Sequence, residues 1–305
     1  MTRGVKVSAV IPTRNRPDLV LRAVRSALAQ EYTDMEVIVV IDGPDARTAT
    51  MLNEIEDRRL QVIALPEAAG AANARNVGVA NAAGDWIAFL DDDDEWLPEK
   101  IALQMERATN SSFLYPIVSC QVFARTNSYQ VVWPRRRPYE PLCNYLLARN
   151  SWSYGDGLLS TTTLLFPKDL FLQQPFRSSL RRHQDLDWVL RAAKCAGAGI
   201  EFVSKPLAVW DQQEGRSSIS TTADWRLSLE WVESVRHMIT GRAYASFLAT
   251  HIAPQAARQG DWTAFIILLK KMVMLGKPNS RDVLLFLAMW SMPHGLRQAV
   301  RKAGR

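Results

Sequence analysis

Cysteine is scarce in this 305-residue chain: Cys120, Cys143 and Cys195 are odd in number, far apart, and without a C-x-x-C pair or a histidine at ligand spacing. A disulfide-built mini-protein is therefore excluded, and buried thiols in a reducing compartment are expected. No apolar run reaches the roughly 18 to 20 residues that a bilayer-spanning helix needs. The nearest, Phe265 to Leu269 and Val283 to Trp290, are short and flanked by Lys and Arg. The first apolar run, Val5 to Ile11, is broken by Lys6 and Ser8 and closed by Pro12, too short and too polar for a secretion signal. No G-x-G-x-x-G turn follows it, which argues against a dinucleotide oxidoreductase. These absences point to a cytoplasmic protein.

Acidic residues are nearly missing from one region. Residues 251–305 hold nine Lys/Arg against Asp261 and Asp282, whereas the preceding 250 residues hold 28 basic and 29 acidic side chains. The net charge of +6 thus resides in the C-terminal part, where it could meet phosphate or an anionic membrane surface. A basic balance alone is weak evidence for nucleic acid, and no nucleic-acid partner is expected. At 48% hydrophobic and 22% charged, the chain has enough apolar residues for a core, and its length suggests two domain-sized units.

Short β-branched runs alternate with helical patterns over the first 110 residues. Strands are expected at Val5 to Ile11, Glu36 to Ile41, Leu60 to Leu65 and Trp86 to Leu90. Helices are expected from Pro17, with the stripe Leu19, Val20, Ala23, Val24, Ala27 and Leu28, then over Asp45 to Glu56 and Ala71 to Ala82. Four such alternations imply a doubly wound, mainly parallel sheet with helices on both faces. Later strands are expected at Ile117 to Phe123, Gln130 to Trp133 and Leu159 to Phe166, with a helix over Asp185 to Ala196. From Asp224 onward the pattern is that of a helical extension.

Ligands of such sheets sit beyond the carboxyl ends of the strands. Those ends carry Thr13 to Asn15, Asp42 to Asp45, and Asp91-Asp92-Asp93-Asp94-Glu95. Five acids in a row repel one another and raise each other's pKa unless a cation compensates. Hard divalent cations take carboxylate oxygens together with ligand phosphates, so this strand end suits a metal bound to a diphosphate; a solvated acidic turn before the Pro98 helix is the alternative. Asp42 could accept from a base or ribose, or act as a turn-former. Arg75, in a helix entered through Gly70, could pair with phosphate or lie as an ordinary helix arginine.

In this order, VSAVIPTRNRPDLVLRAVRSALAQEYTDMEVIVVIDG and GAANARNVGVANAAGDWIAFLDDDDEWLPEKI resemble the nucleotide-binding half of family 2 glycosyltransferases. The resemblance is close over residues 5–107 and loose over 108–220. It implies a GT-A fold and an inverting transfer of sugar from a nucleotide-diphospho-sugar, a UDP-sugar foremost, to a saccharide or lipid-linked saccharide acceptor in surface polysaccharide biosynthesis. It also implies Mn²⁺ or Mg²⁺. By position it assigns Pro12, Thr13, Asn15, Asp42, Arg75, Asp91 and Asp92 to the donor, and Asp93 with Asp91 to the metal as the D-x-D pair. The run Arg182 to Trp188 places Asp185 as catalytic base, with Gln184 where relatives carry Glu.

A second departure is Gln213, near the place where many relatives carry a metal-binding His; Asp211, Glu214 or water could fill that position. Arg216 could clamp the diphosphate. Trp133, Trp152 and Trp210 fall where they could border an acceptor groove, Trp210 foremost. The expected organisation is a nucleotide-sugar half over 1–110, an acceptor and catalytic-base half over 111–222, and a basic helical extension over 223–305. That extension could rest on the inner face of a membrane, or pack on the protein or a second subunit. The two departures support one alternative to an enzyme, a non-catalytic sugar- or nucleotide-binding module that keeps the fold.

Overall fold

The computed structural model describes residues 5–126, 129–151, 156–211 and 224–291. Its first part alternates as the sequence requires: β1 (Val7–Thr13), α1 (Pro17–Leu28), β2 (Met35–Ile41), α2 (Ala46–Asn53), β3 (Leu60–Ala64), α3 (Ala71–Asn81) and β4 (Trp86–Phe89). Every residue of β1 is buried, and all of β2 but Glu36, as in strands covered on both faces. β1 lies between β2 and β4 and runs parallel to both, while β3 runs parallel to β2. The carboxyl ends of β1, β2 and β4 therefore share one edge.

The helices seat against this sheet for identifiable reasons. α1 starts on Pro17, whose fixed φ suits a first helical turn, and buries Val20, Ala23, Val24 and Ala27. α3 approaches β1 closely because residue 78 is glycine: a Cβ there would stand 2.3 Å from Val10 Cγ1. Gly70, which precedes α3, has φ +91°, a region that favours glycine.

Next come β5 (Glu95–Trp96), α4 (Lys100–Thr109), β6 (Tyr115–Arg125), β7 (Gln130–Trp133), α5 (Leu142–Leu147), β8 (Leu165–Pro167), α6 (Lys168–Gln173), α7 (Gln184–Ala192) and β9 (Ala198–Asp211). The sheet order is β3-β2-β1-β4-β8-β6-β9-β5, with β7 hairpinned on β6. β8 runs antiparallel to β4 and β6, β9 parallel to β6, and β5 antiparallel to β9. The sheet is thus mainly parallel in the part formed by the first four strands and mixed beyond it.

Two expectations are corrected here. Residues 159–166 do not form one strand: Thr161–Thr163 make a 3₁₀ turn before the short β8. The helix expected over Asp185 to Ala196 ends at Ala192, and the 14-residue β9 was not foreseen. Under the sheet, Phe89, Phe166, Phe171, Phe176 and Trp188 form one aromatic cluster, the closest pair being Phe166 and Trp188 at 4.3 Å between ring centroids.

The chain divides into two compact units, Met1–Trp133 with Leu159–Arg216, and Pro134–Leu158 with Ser217–Arg305. The second unit is helical, as expected from Asp224 onward. It contains α5, α8 (Trp225–Ser234), α9 (Gly241–Phe247), a π-helical turn (Leu248–Ile252), α10 (Ala253–Arg258), α11 (Trp262–Met274) and α12 (Ser280–Ser291). Asp224 and Asp261 cap α8 and α11. No described helix is long and apolar enough to cross a membrane. Cys120 and Cys143 are buried and Cys195 partly so, all three as free thiols.

Candidate active site

The acidic run after β4 resolves into two sets. Asp92 and Asp93 form a turn closed by the Asp94 amide on the Asp91 carbonyl at 3.1 Å, and the side chains divide between two sides: Asp91, Asp93 and Glu95 are partly exposed, while Asp92 and Asp94 are buried. Asp94 accepts from the Thr162 hydroxyl at 2.5 Å and from the Asp211 amide at 3.2 Å. Burial drives its pKa well up, and the charges of Asp91 and Asp93 push the same way. Asp92 accepts from the Thr13 hydroxyl at 2.8 Å and from Arg16 at 3.1 Å. Burial raises its pKa to about 6 although Arg16 pulls it down. Two of the five acids are thus inward, where protonation or an arginine relieves the repulsion.

The outward set is held from both sides. Asp91 accepts from Arg75 Nη2 at 2.5 Å and from the Thr161 hydroxyl at 2.9 Å. Asp93 faces Arg16 Nη1 at 3.3 Å, and its backbone carbonyl accepts from Arg22 Nη2 at 2.7 Å. The same arginine reaches Asp211 Oδ2 at 3.1 Å and Glu95 at 3.3 Å. Arg22 therefore joins α1, the acidic run and the end of β9 through one guanidinium.

Arg75 is buried on the inner face of α3, beneath its own ion pair with Asp91, and lies 5.6 Å from the Phe176 ring centre. Its other terminal nitrogen donates to Gln184 Oε1 at 3.1 Å, and its Nε has no hydrogen-bond partner. Gln184 and Asp185 open α7, whose start is set by His183 at φ +59°. Trp188, one turn on, locks that helix into the aromatic cluster and donates from Nε1 to the Gln174 carbonyl at 2.7 Å. Asp185 is partly buried and accepts from the Leu186 amide at 2.8 Å. Desolvation raises its pKa, with the Asp91 charge adding and Arg75 opposing. Asp187 points elsewhere, as helical spacing requires: it is buried and ion-paired to Arg177 and Arg191.

The remaining expected residues occupy distinct places. Asp42 is buried just beyond β2, its carboxylate accepting from the Ala69 amide at 2.7 Å and the Gly70 amide at 3.0 Å. Asn15 is exposed in the left-handed region at φ +53°, its amide donating to Asp45. Pro12 is a buried residue of β1. Trp210 lies on β9 with its ring 5.8 Å from that of Trp133, and Trp133 is itself buried, so it offers no open stacking face. Arg216, Gln213, Glu214 and Trp152 lie outside the described residues. Asp211, considered as a metal ligand, is buried and paired to Arg22.

The described residues contain no group of three or more His, Cys, Asp or Glu side chains arranged to hold a metal. Of the outward carboxylates, Asp91 and Asp93 suit the mode in which one or two carboxylates share a Mg²⁺-like ion with substrate phosphates and water. Thr161, Thr162, Arg16 and Arg22 contact the acidic run without having been singled out by the sequence, whereas Asp94 lies within the run that the sequence marks. The signal available for the arginines was their position on and before α1, facing the acidic strand end across the same sheet edge.

Comparison with known proteins identifies the family and the fold. Residues 8–173 match the profile of glycosyl transferase family 2. A stretch of 102 residues is 41% identical to the succinoglycan biosynthesis protein ExoO of Rhizobium meliloti (strain 1021), covering 33% of this chain and 29% of ExoO. The amylovoran biosynthesis glycosyltransferase AmsB of Erwinia amylovora aligns over 294 residues at 24% identity, 92% of this chain and 95% of AmsB. The crystal structure of S. aureus TarS 1-349 in complex with UDP-GlcNAc is similar with a TM-score of 0.63, covering 96% of this chain and 92% of that one at 15% identity. At that identity the likeness speaks to the fold.

Proposed function

Because this chain belongs to glycosyl transferase family 2, we propose that it transfers a sugar, with inversion, from a UDP-sugar to a hydroxyl of a saccharide or lipid-linked saccharide acceptor, in the assembly of a surface polysaccharide. The observation that carries the reading is the convergence of Asp185, Arg75 and Asp91 through Gln184 at the sheet edge where α/β proteins bind ligands. The polysaccharide products in the names of ExoO and AmsB, and the UDP-GlcNAc held by TarS, support the donor and acceptor classes.

In this mechanism Asp185 is the base. Its carboxylate takes the proton of the acceptor hydroxyl as that oxygen forms its bond to the sugar C1, and the C1–oxygen bond to the diphosphate breaks with the electron pair leaving on phosphate. A carboxylate whose pKa is raised towards neutrality suits that task. Arg75, with an unpaired Nε, provides positive charge beside the diphosphate, and Gln184 holds its other end without adding a second negative charge. Asp92 positions Thr13, and Asp42 shapes the 69–70 loop that would border the nucleotide. Mn²⁺ or Mg²⁺, when bound by Asp93 with Asp91, supplies charge neutralisation for the diphosphate.

Asp185→Asn tests the base. Donor-induced thermal stabilisation with UDP-sugars and Mn²⁺ should persist, while transfer falls by about 10²- to 10⁴-fold. Transfer within a few-fold of wild type would remove Asp185 from the role. Donor binding without transfer by the wild-type protein, across saccharide and lipid-linked acceptors, would favour the non-catalytic binding module.

A further inference from the structure

The helical unit exposes a surface that the transfer chemistry does not use. On α11 the buried stripe is Ala264, Leu268 and Met272, four residues apart. The opposite face carries Trp262, Ile266, Ile267, Val273 and Met274, each between 42% and 68% exposed. Leu275, and Leu284 and Leu287 on α12, extend it. Of the fifteen large hydrophobic side chains exposed among the described residues, eight fall between positions 262 and 287. A helix apolar on both faces is ordinarily covered on both, and a protein surface in water rarely leaves so concentrated a patch open.

Charge identifies what covers it. In sequence, residues 262–291 contain Lys270, Lys271, Lys277 and Arg281 and a single acid, Asp282. That acid is fully buried and ion-paired to Arg242, and Lys271 is paired to Glu233. The outward face therefore presents cations alone: Lys270 emerges among Ile266, Ile267, Val273 and Met274 by helical order, and Lys277 follows Leu275. The chain continues past residue 291 with Arg297, Arg301, Lys302 and Arg305 and no acid. A second copy docking face to face would bring these like charges together. A surface with an anionic outer layer and an apolar interior complements both features at once.

We propose that the α11–α12 face lies in the headgroup layer of an anionic lipid bilayer. Ile266, Val273 and Met274 enter the acyl boundary while Lys270 and Lys277 extend to lipid phosphates. With no described helix able to cross a bilayer, this is attachment to one leaflet rather than insertion. It holds whatever the donor and acceptor prove to be.

Co-sedimentation of the full-length protein with vesicles tests it, comparing phosphatidylcholine alone with equal parts phosphatidylcholine and phosphatidylglycerol. Wild type should pellet with the anionic vesicles and stay in solution with the neutral ones. Removing positive charge by Lys270→Gln with Lys277→Gln should weaken binding by about fivefold per cation. Ile266→Ser with Val273→Ser and Met274→Ser should abolish it. Unchanged circular dichroism certifies folding of each variant, and the lysine pair, being exposed, decides the matter if the apolar triple variant misfolds. Equal pelleting with both vesicle types, or anionic binding that survives the lysine pair, overturns the proposal. So does a wild-type dimer by light scattering that the triple variant converts to monomer, since the face would then belong to a second copy.

Discussion

Lys100, at the first position of α4, carries its ammonium inside the protein. The residue is fully buried, its Nζ lies 4.3 Å from the Trp96 ring centre, and it donates to Gln104 Oε1 at 2.5 Å. Burial pulls its pKa down from 10.5 to about 8. At 1.36 kcal/mol per unit, keeping the charge inside costs the fold about 3 kcal/mol at neutral pH. The sign follows from proton counting: below pH 8 both states hold the proton and the full cost stands. Between about pH 8 and 10.5 the unfolded chain holds a proton the fold has released, so stability rises with pH, and above that window the cost is gone. Lys100→Met keeps most of the stem packed on Trp96 and removes the charge. It forfeits a cation–π attraction of up to about 2 kcal/mol and leaves the buried Gln104 Oε1 without its donor, a further cost of about 1 kcal/mol, so stability at pH 7 stays about level while the curve above pH 8 flattens. Urea midpoints at pH 7 and pH 10, with m unchanged, measure both effects. Parallel pH curves for wild type and variant would refute the argument, because the rise belongs to this one group.

Other expectations concern the site's supports. Gly78→Ala should lower stability by about 1–3 kcal/mol, despite alanine's advantage of about 1 kcal/mol in helices, because the new Cβ meets Val10 Cγ1; an unchanged melting temperature would mean that α3 does not seat so closely. Asp92→Asn should raise the melting temperature at pH 8, where the wild-type carboxylate is ionised against its burial, and the advantage should shrink towards pH 4, where the folded state already holds the proton. Equal gains at both values would show that the benefit is not electrostatic.

The parallel half of the sheet was readable because its strands are uninterrupted apolar runs and its helix stripes are clean: α1 buries four of the residues its spacing named. The strand-end positions of Thr13, Asp42 and Asp91 followed from that reading alone. β9 was missed because Gly199 and Ser204-Lys205-Pro206 interrupt its pattern, and because its pairing with β6 shifts register around Gln121. The segment over 159–166 misled for a different reason. Three consecutive threonines favour a strand by propensity, but their hydroxyls bond elsewhere: Thr161 to Asp91 and Thr162 to Asp94 across the fold, and Thr163 to the Ser160 carbonyl within the turn itself. The two aspartate partners lie about 70 residues away in sequence, beyond the reach of any local pattern. The inward and outward division of the acidic run depends on the same contacts.

Residues 134–158 leave the sheet-bearing unit and return to it between β7 and β8, having contributed α5 to the helical unit. There the Arg149 amide donates to the Ser246 hydroxyl at 2.8 Å, Arg242 donates to the Arg149 carbonyl at 3.0 Å, and the Thr240 hydroxyl donates to Asn144 Oδ1 at 2.5 Å. The helical unit is consequently not an appendix that a stop codon could remove. Ending translation after β9 would strand α5 with Leu142, Cys143, Tyr145, Leu146 and Leu147 deprived of their cover, a sticky loop grafted onto an otherwise finished sheet. For a ribosome the same arrangement sets a waiting time, since a segment made before the middle of the chain lacks these partners until residues 240–246 emerge.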